Sequence, residues 1–267
     1  MGEKGDEVQL LGFLNAVLGY SGENRLQSVE IMDNTAFIKD FEEGKTCILD
    51  VLAVLGNGTK VNIEVQLGNE HNMERRSLFY WSKVFTESID AGQDYKELPN
   101  VVAINIVDFN FQPGDKYHTV YRLKEKSDPT VELTSALEIH FLNMVQWRRH
   151  RNKDLRNNAL HRWLTWFDDK SKPDLIKEVI TMDGAVAEAY KKLEEAMKDQ
   201  NDYRRYWAHR KYEHDMVSRL NYAHDKGLEM GQDQKALEIA RKMKEMNESI
   251  EKICIITGLS AEAVQKL

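Results

Sequence analysis

Asp50 and Glu64 are the residues of this sequence whose type and spacing could do chemistry. They stand on the two arms of residues 48–66, ILDVLAVLGNGTKVNIEVQ, which read as a β-hairpin around Gly56-Asn57-Gly58. A three-residue loop at 56–58 pairs Leu55 with Thr59, and carries Asp50 opposite Glu64 and Ile48 opposite Gln66. Opposed residues share a face with Cβ atoms roughly 4.5–5.5 Å apart, where like charges repel. Something must offset the repulsion: a shared proton, a nearby cation or a bound divalent metal. Mg²⁺ takes one or two carboxylates and keeps several waters, which suits such a pair. Ile48, Leu52 and Val54 share the face of Asp50, so that face is not a wet one. A slip of one residue would send the acids to opposite faces.

Other groups gather around this pair in the sequence. Gln66 lies one pleat beyond Glu64 on the same face, where its amide can orient a water or a phosphate but supplies no charge. Arg76 and Tyr80 are four apart and share a helix face. Arg suits bidentate phosphate contact, with a surface ion pair as the plain alternative. Residues 147–163 hold Arg148, Arg149, Arg151, Lys153, Arg156 and Arg162 against the single acid Asp154. Residues 203–222 mix Arg204, Arg205, Arg210, Lys211 and Arg219 with Tyr206, Trp207 and Tyr212. Basic residues interleaved with aromatics suit phosphate neutralisation and base stacking, although amphipathic helices with solvated charges read the same way. His140, in an apolar strand, reads as a satisfied core histidine. No Walker loop, GxGxxG, GxSxG elbow or HExxH motif is present.

Composition narrows the class. The 267 residues suit one or two domains, and 42% apolar content supports a sizeable core. A net charge of −7 argues against general nucleic-acid affinity while leaving room for a local basic groove. Cys47 and Cys254 are far apart and in apolar runs, which predicts buried thiols in a reducing compartment rather than a disulfide or zinc framework. No run of 18 apolar residues and no apolar leader is visible, so the expected address is the cytoplasm, with no membrane span.

The elements that must position these groups follow from the pattern. Residues 10–18, LLGFLNAVL, form a short helix stopped by Gly19. Strands are expected at 26–31 and 38–43, then the hairpin at 46–67, then a helix at 69–91 with Gly92 as its stop. Residues 101–109, VVAINIVDF, read as a buried strand, with further strands at 117–124 and 137–144. From about 145 onward Lys, Glu, Arg and Ala dominate, and helices are expected at 152–166, 173–197, 200–224 and 232–247, with Gly227 and Gly231 as a linker. Two short helices around Thr257-Gly258-Leu259-Ser260 close the chain, with Ser260 as N-cap. The fold class is therefore α/β (α+β), a mixed sheet flanked by helices and followed by a helical C-terminal region. The expected divisions are a core at 1–146, a helical region at 147–231 and a tail at 232–267, through which the chain could form a homo-oligomer.

The ordered motifs resemble the PD-(D/E)XK nuclease superfamily, in which an acid on one hairpin strand meets an acid on the next, followed two residues later by Lys. Here the pattern is Leu49-Asp50, then Glu64-Val65-Gln66, and the Gln variant is similar to the Rpn family of recombination-promoting nucleases, or putative transposases. FLNAVL at 13–18, RSLFYWSKVF at 76–85, Gly92 and Tyr95, LEIHFL at 137–142 and ITGLSAEAVQKL at 256–267 extend the resemblance over most of the chain. Family members usually place a further helix, with an aromatic-Lys-x-x-Phe signature and an acid, before the FLNAVL-like segment. This chain opens almost at FLNAVL, and Glu30 is the acid that would stand in. The resemblance implies a restriction-endonuclease-like fold and a DNA endonuclease with Mg²⁺ or Mn²⁺ on Asp50 and Glu64. It also implies Asp50, Glu64 and Gln66 as the catalytic set, and Arg76, Tyr80, Arg148, Arg149 and Arg151 toward DNA. The rival readings are a nucleic-acid-binding or mobile-element protein with an incomplete site, and a partner-binding protein.

Overall fold

The computed structural model describes residues 2–32, 50–111, 114–198 and 200–267, with side chains of 200–221 outside that description. The strand expected at 38–43, Ile48 and Cys47 lie outside the described residues. The chain forms two compact units, Met1–Lys211 and Tyr212–Leu267.

The first unit is built on a six-stranded mixed sheet in the order β1-β2-β3-β4-β6-β5. The strands are β1 (Val29–Ile31), β2 (Val51–Leu55), β3 (Lys60–Gln66), β4 (Val101–Val107), β5 (His118–Arg122) and β6 (Leu137–Asn143). β3, β4 and β6 run parallel, and the remaining neighbours pair antiparallel. The hairpin register is the expected one: Val51 faces Ile63, Ala53 faces Val61, and the Leu55 amide donates to the Thr59 carbonyl at 2.9 Å. Strand β4 is buried along its whole length, as its run of β-branched residues requires of a central parallel strand.

The two faces of the sheet are covered differently. Val61, Ile63, Val102, Ile104 and Ile106 point to a large apolar core shared with α1 (Glu7–Leu18), α3 (Met144–Arg149), α4 (Ala159–Phe167), α5 (Pro173–Met182) and α6 (Gly184–Lys198). Phe13, Trp147 and Trp163 are fully buried there, and Phe13 meets the Trp163 ring edge-on at 5.6 Å. The helices expected to form a region of their own after residue 146 thus close the same core as the sheet. The other face lies under α2 (Met73–Thr86), whose Tyr80 and Val84 pack on Leu52 and Val101.

Helix boundaries differ from the sequence pattern for local reasons. α2 is shorter than 69–91 because His71 takes a left-handed φ of 57° and Asn69 accepts its amide, so the chain turns before the helix starts. The expected helix at 173–197 is two helices, broken at Asp183, whose carboxylate accepts the Ala185 amide and the Arg162 guanidinium. The expected helices at 200–224 and 232–247 are one, α7 (Gln200–Glu245), and Gly227 and Gly231 are helical rather than a linker. An isolated Gly costs a helix about 1 kcal/mol and does not stop it without a capping partner. α1 ends as expected, with Gly19 at φ 70°.

In the second unit, α8 (Ile250–Thr257) and α9 (Ala261–Gln265) close a small core of Ala240, Ile253 and Val264. Ser260 caps α9 through the Ala263 amide at 3.2 Å, as its position predicts. Among the described residues no helix is long and apolar enough to cross a membrane.

Candidate active site

The hairpin brings Asp50 and Glu64 to the α2 side of the sheet. Asp50 immediately precedes β2, and its carboxylate reaches across to accept the Val65 amide at 2.7 Å. Asp50 is exposed, whereas Glu64 keeps only 3% of its surface. The pair therefore consists of one wet and one dry carboxylate. Burial pushes the Glu64 carboxyl up to about 8, the facing Asp50 charge adds to the rise, and Arg76 opposes it. Hydrogen bonds from Asp50 and Asn62 also favour the ionised form. The Arg76 guanidinium stands 3.8 Å from Glu64 and 3.7 Å from Glu70, and lies 5.1 Å over the Tyr80 ring.

Around Glu64 the burial is polar. Asn62 and Asn105 are each 1% exposed and share its face, Asn62 along the strand and Asn105 directly opposite on β4. Asn105 donates to the His140 carbonyl at 3.1 Å and accepts Ser77 Oγ at 3.2 Å, which ties α2 to the sheet. Three buried atoms in this cluster have no hydrogen-bond partner among the described residues: Glu64 Oε1, Asn62 Oδ1 and Arg76 Nε. Buried polar atoms are nearly always satisfied, so a cluster of orphans asks for a missing partner. Two carboxylates, one with a spare buried oxygen, fit Mg²⁺ or Mn²⁺, which would complete its shell with water. Among the described residues no third His, Cys, Asp or Glu joins them.

Gln66 ends β3, half-buried, and its amide donates to the Gly68 carbonyl at 3.2 Å. It lies at the C-terminal end of the parallel strands, where the Asp108 amide donates to its carbonyl at 3.1 Å. Open α/β sheets bind ligands at that end. Tyr80 is 8% exposed and packs in the α2 core. Arg148 bonds both Asp108 and Asp168, so any phosphate would compete with two carboxylates for it. Arg149 and Arg151 are exposed at the end of α3 and just beyond. Glu30 pairs with Val54, four residues along β2 from Asp50 or about 13 Å, and does not join the site. The side chains of the 203–221 basic stretch lie outside the described residues.

His140 is the satisfied core histidine expected, bonded to His118 at 2.9 Å and Glu138 at 2.6 Å. The residues that sequence reasoning missed are Asn62, Ser77, Asn105 and the Asp108–Arg148–Asp168 bridge. The signal for the first was present: residues 60, 62, 64 and 66 are all polar, a period-two stripe in KVNIEVQ. Asn105 stands alone in an otherwise apolar strand. The bridge links residues far apart in sequence and leaves no local trace.

Neither a curated protein nor a solved structure matches the chain. A family model described as PD-(D/E)XK nuclease family transposase matches residues 1–223, a stretch holding all six described strands and both hairpin acids. On that match, which spans far more than half its length, the chain belongs to the PD-(D/E)XK nuclease family transposases, with the nuclease or mobile-element role that the family carries.

Proposed function

We propose that the chain is a metal-dependent DNA endonuclease, serving DNA recombination or a mobile element, that hydrolyses phosphodiester bonds at Asp50 and Glu64. The observation that carries this reading is the buried Glu64 with its orphaned Oε1, held against a second carboxylate. Leaving a carboxylate dry and half-bonded costs stability, and the fold gains nothing from it.

Asp50 and Glu64 would hold Mg²⁺ or Mn²⁺. A divalent cation there supplies a Lewis acid for the scissile phosphate and makes an attacking water more acidic at neutral pH. The protein's own groups do the rest. Asp50 is fixed by the Val65 amide, which sets the distance between the two carboxylates. Arg76 offsets the charge on Glu64, and the 30% of its side chain that stays exposed can meet a phosphate oxygen. Gln66, released from Gly68, orients water or phosphate through its amide. Burial of Glu64 beneath α2 keeps bulk water from that carboxylate and so strengthens the interactions it makes.

The test is nicking of supercoiled plasmid by the whole chain. Mg²⁺ or Mn²⁺ should support cleavage, Ca²⁺ should support binding alone, and chelation should stop the reaction. Cleavage that continues undiminished in excess chelator would overturn the mechanism. A second reading, a DNA-binding or mobile-element protein that keeps the fold without cleaving, is favoured by the ligand set stopping at two carboxylates among the described residues. Salt-dependent DNA binding with no cleavage under any divalent metal would mark it.

A further inference from the structure

A cavity of about 280 Å³ opens on the same face of the sheet as Glu64. Glu64, Asn105, Phe141 and Thr119 are paired in register across β3, β4, β6 and β5, so they share one face. The cavity lies at the Phe141–Thr119 end of that row. Three strand spacings of about 4.8 Å put it roughly 14 Å from Glu64. Tyr80 and Val84 of helix α2 pack on Leu52 and Val101, toward the other edge of the sheet.

The lining is specific in kind. Phe141, 5% exposed, forms the floor. Phe111 meets it at 4.7 Å between ring centroids, and Tyr121 stands edge-on to it at 5.9 Å. Tyr121 is 44% exposed, a large aromatic surface left open to solvent. Gln146 also lines the cavity and is only 8% exposed. Its backbone amide donates to Asn143 Oδ1 at 3.1 Å, which fixes the residue at the start of α3. Asn143 itself is committed, donating to the Phe109 carbonyl at 3.3 Å. The Gln146 side chain at the cavity wall carries a donor and an acceptor side by side, the pattern that pairs with a base edge. Lys116 on the rim suits a phosphate, while its neighbour Asp115 suits an exocyclic amino group.

We infer that this cavity is a base subsite, which takes one unstacked nucleobase of the DNA strand engaged at Glu64. The inference rests on the DNA reading of the site and adds how the strand is held. Aromatic walls give stacking that tolerates any base, and Gln146 adds a hydrogen-bonding edge. The volume suits a single heterocycle, falling just under the roughly 300–1,000 Å³ typical of drug-sized ligands. The separation from Glu64 corresponds to about four base-pair rises of 3.4 Å along a duplex axis. A base flipped or unpaired near the cut would therefore reach it without bending the backbone sharply.

The test is anisotropy of two labelled single-stranded deoxyoligonucleotides with the full chain in Ca²⁺, one intact and one with the same backbone but abasic throughout. Wild type should bind the intact strand at least about tenfold more tightly, within the range for stacking of one base. Tyr121→Ala, on the exposed half of an edge strand, should erase most of that ratio. Tyr121→Phe should restore it, because the ring and not the hydroxyl does the stacking, and an unchanged urea melt of Tyr121→Ala would show that its loss is not one of folding. Equal binding of both strands by wild type, or a ratio unchanged in Tyr121→Ala, would overturn the subsite while leaving the endonuclease reading intact. Binding of neither strand would remove DNA as the ligand and take both readings with it. Free deoxynucleoside monophosphate that binds as tightly as the strand would also overturn the inference.

Discussion

The two faces of β3 bury neighbouring residues to opposite ends. Val61 and Ile63 enter an apolar core under α1 and α4, where removal from water stabilises the fold. Asn62 and Glu64, which alternate with them in sequence, are equally buried under α2 and gather unsatisfied polar atoms instead. The same strand and the same depth thus give two chemistries. The helices over the apolar face also leave orphans, the indole N–H groups of Trp147 and Trp163 and the Gln9 amide oxygen, but these are single neutral atoms and none is charged. On the α2 face the orphans are a carboxylate oxygen, an amide oxygen and a guanidinium N–H in one cluster. The difference separates residues that hold the protein together from residues that the protein holds in readiness.

The sharpest way to break this comparison is by activity. Glu64→Gln should lower metal-dependent nicking by roughly a thousandfold or more, on the scale of losing a central electrostatic group. Ile63→Val, one residue away and facing the other core, should leave nicking within about twofold. Plasmid assays of the two variants side by side decide the matter, and similar losses in both would erase the distinction between faces.

Stability should reverse that order. Trp163→Ala should cost about 3–5 kcal/mol, because it empties a fully buried site. Glu64→Gln should raise stability in the absence of metal. Urea melts of both variants against wild type measure the contrast, and a destabilised Glu64→Gln would mean that the carboxylate supports the fold.

The pH dependence follows from the raised Glu64 value. Its folded pKa, near 8, lies above the ordinary 4.5, so between those values the folded chain keeps a proton that the unfolded chain releases. The resulting contribution is fully present below about 4.5 and is lost as pH rises through about 8. Metal-free Tm should therefore fall more steeply over that window in wild type than in Glu64→Gln, by a few degrees. Mg²⁺ should recover stability at the alkaline end, since it favours the ionised carboxylate. Parallel Tm curves for the two proteins would remove Glu64 as the titrating group.

The smallest expected effect concerns Gln66. Gln66→Lys places a cation at the strand end beside the acids, and should steepen the salt dependence of DNA binding by up to about one phosphate contact. Gln27→Lys adds the same charge near the hairpin-turn end of the sheet and serves as the control. Equal slopes for the two variants would detach Gln66 from the site.

Much of this arrangement was legible in the sequence because it is local. The hairpin register followed from Gly56-Asn57-Gly58 and from alternation, and it alone placed Asp50 against Glu64. The burial of β4 followed from its β-branched run. What was not legible depends on contacts between distant segments. That Glu64 is dry depends on α2 lying over it, and that Arg148 is committed depends on Asp108 and Asp168, 40 and 20 residues away. The continuity of α7 through Gly227 and Gly231 is not legible in local composition, because a Gly stops a helix only where the chain turns into a cap, and α7 runs on to Glu245.

The hairpin turn has a practical consequence. It sits at the end of β2 opposite Asp50, five strand residues or about 17 Å away. The acids could therefore be observed without being touched, by grafting a dye or an affinity tag into the turn. The graft belongs at Asn57 rather than at its neighbours, at the loss of the hydrogen bond its side chain accepts from the Thr59 amide at 3.1 Å. A Cβ on Gly56 would come within 2.6 Å of Ser28 Oγ, and Gly58 holds φ 84°, a conformation that other residues adopt at a cost. A chain labelled at that one position would report metal and DNA arriving at the far end of the same two strands.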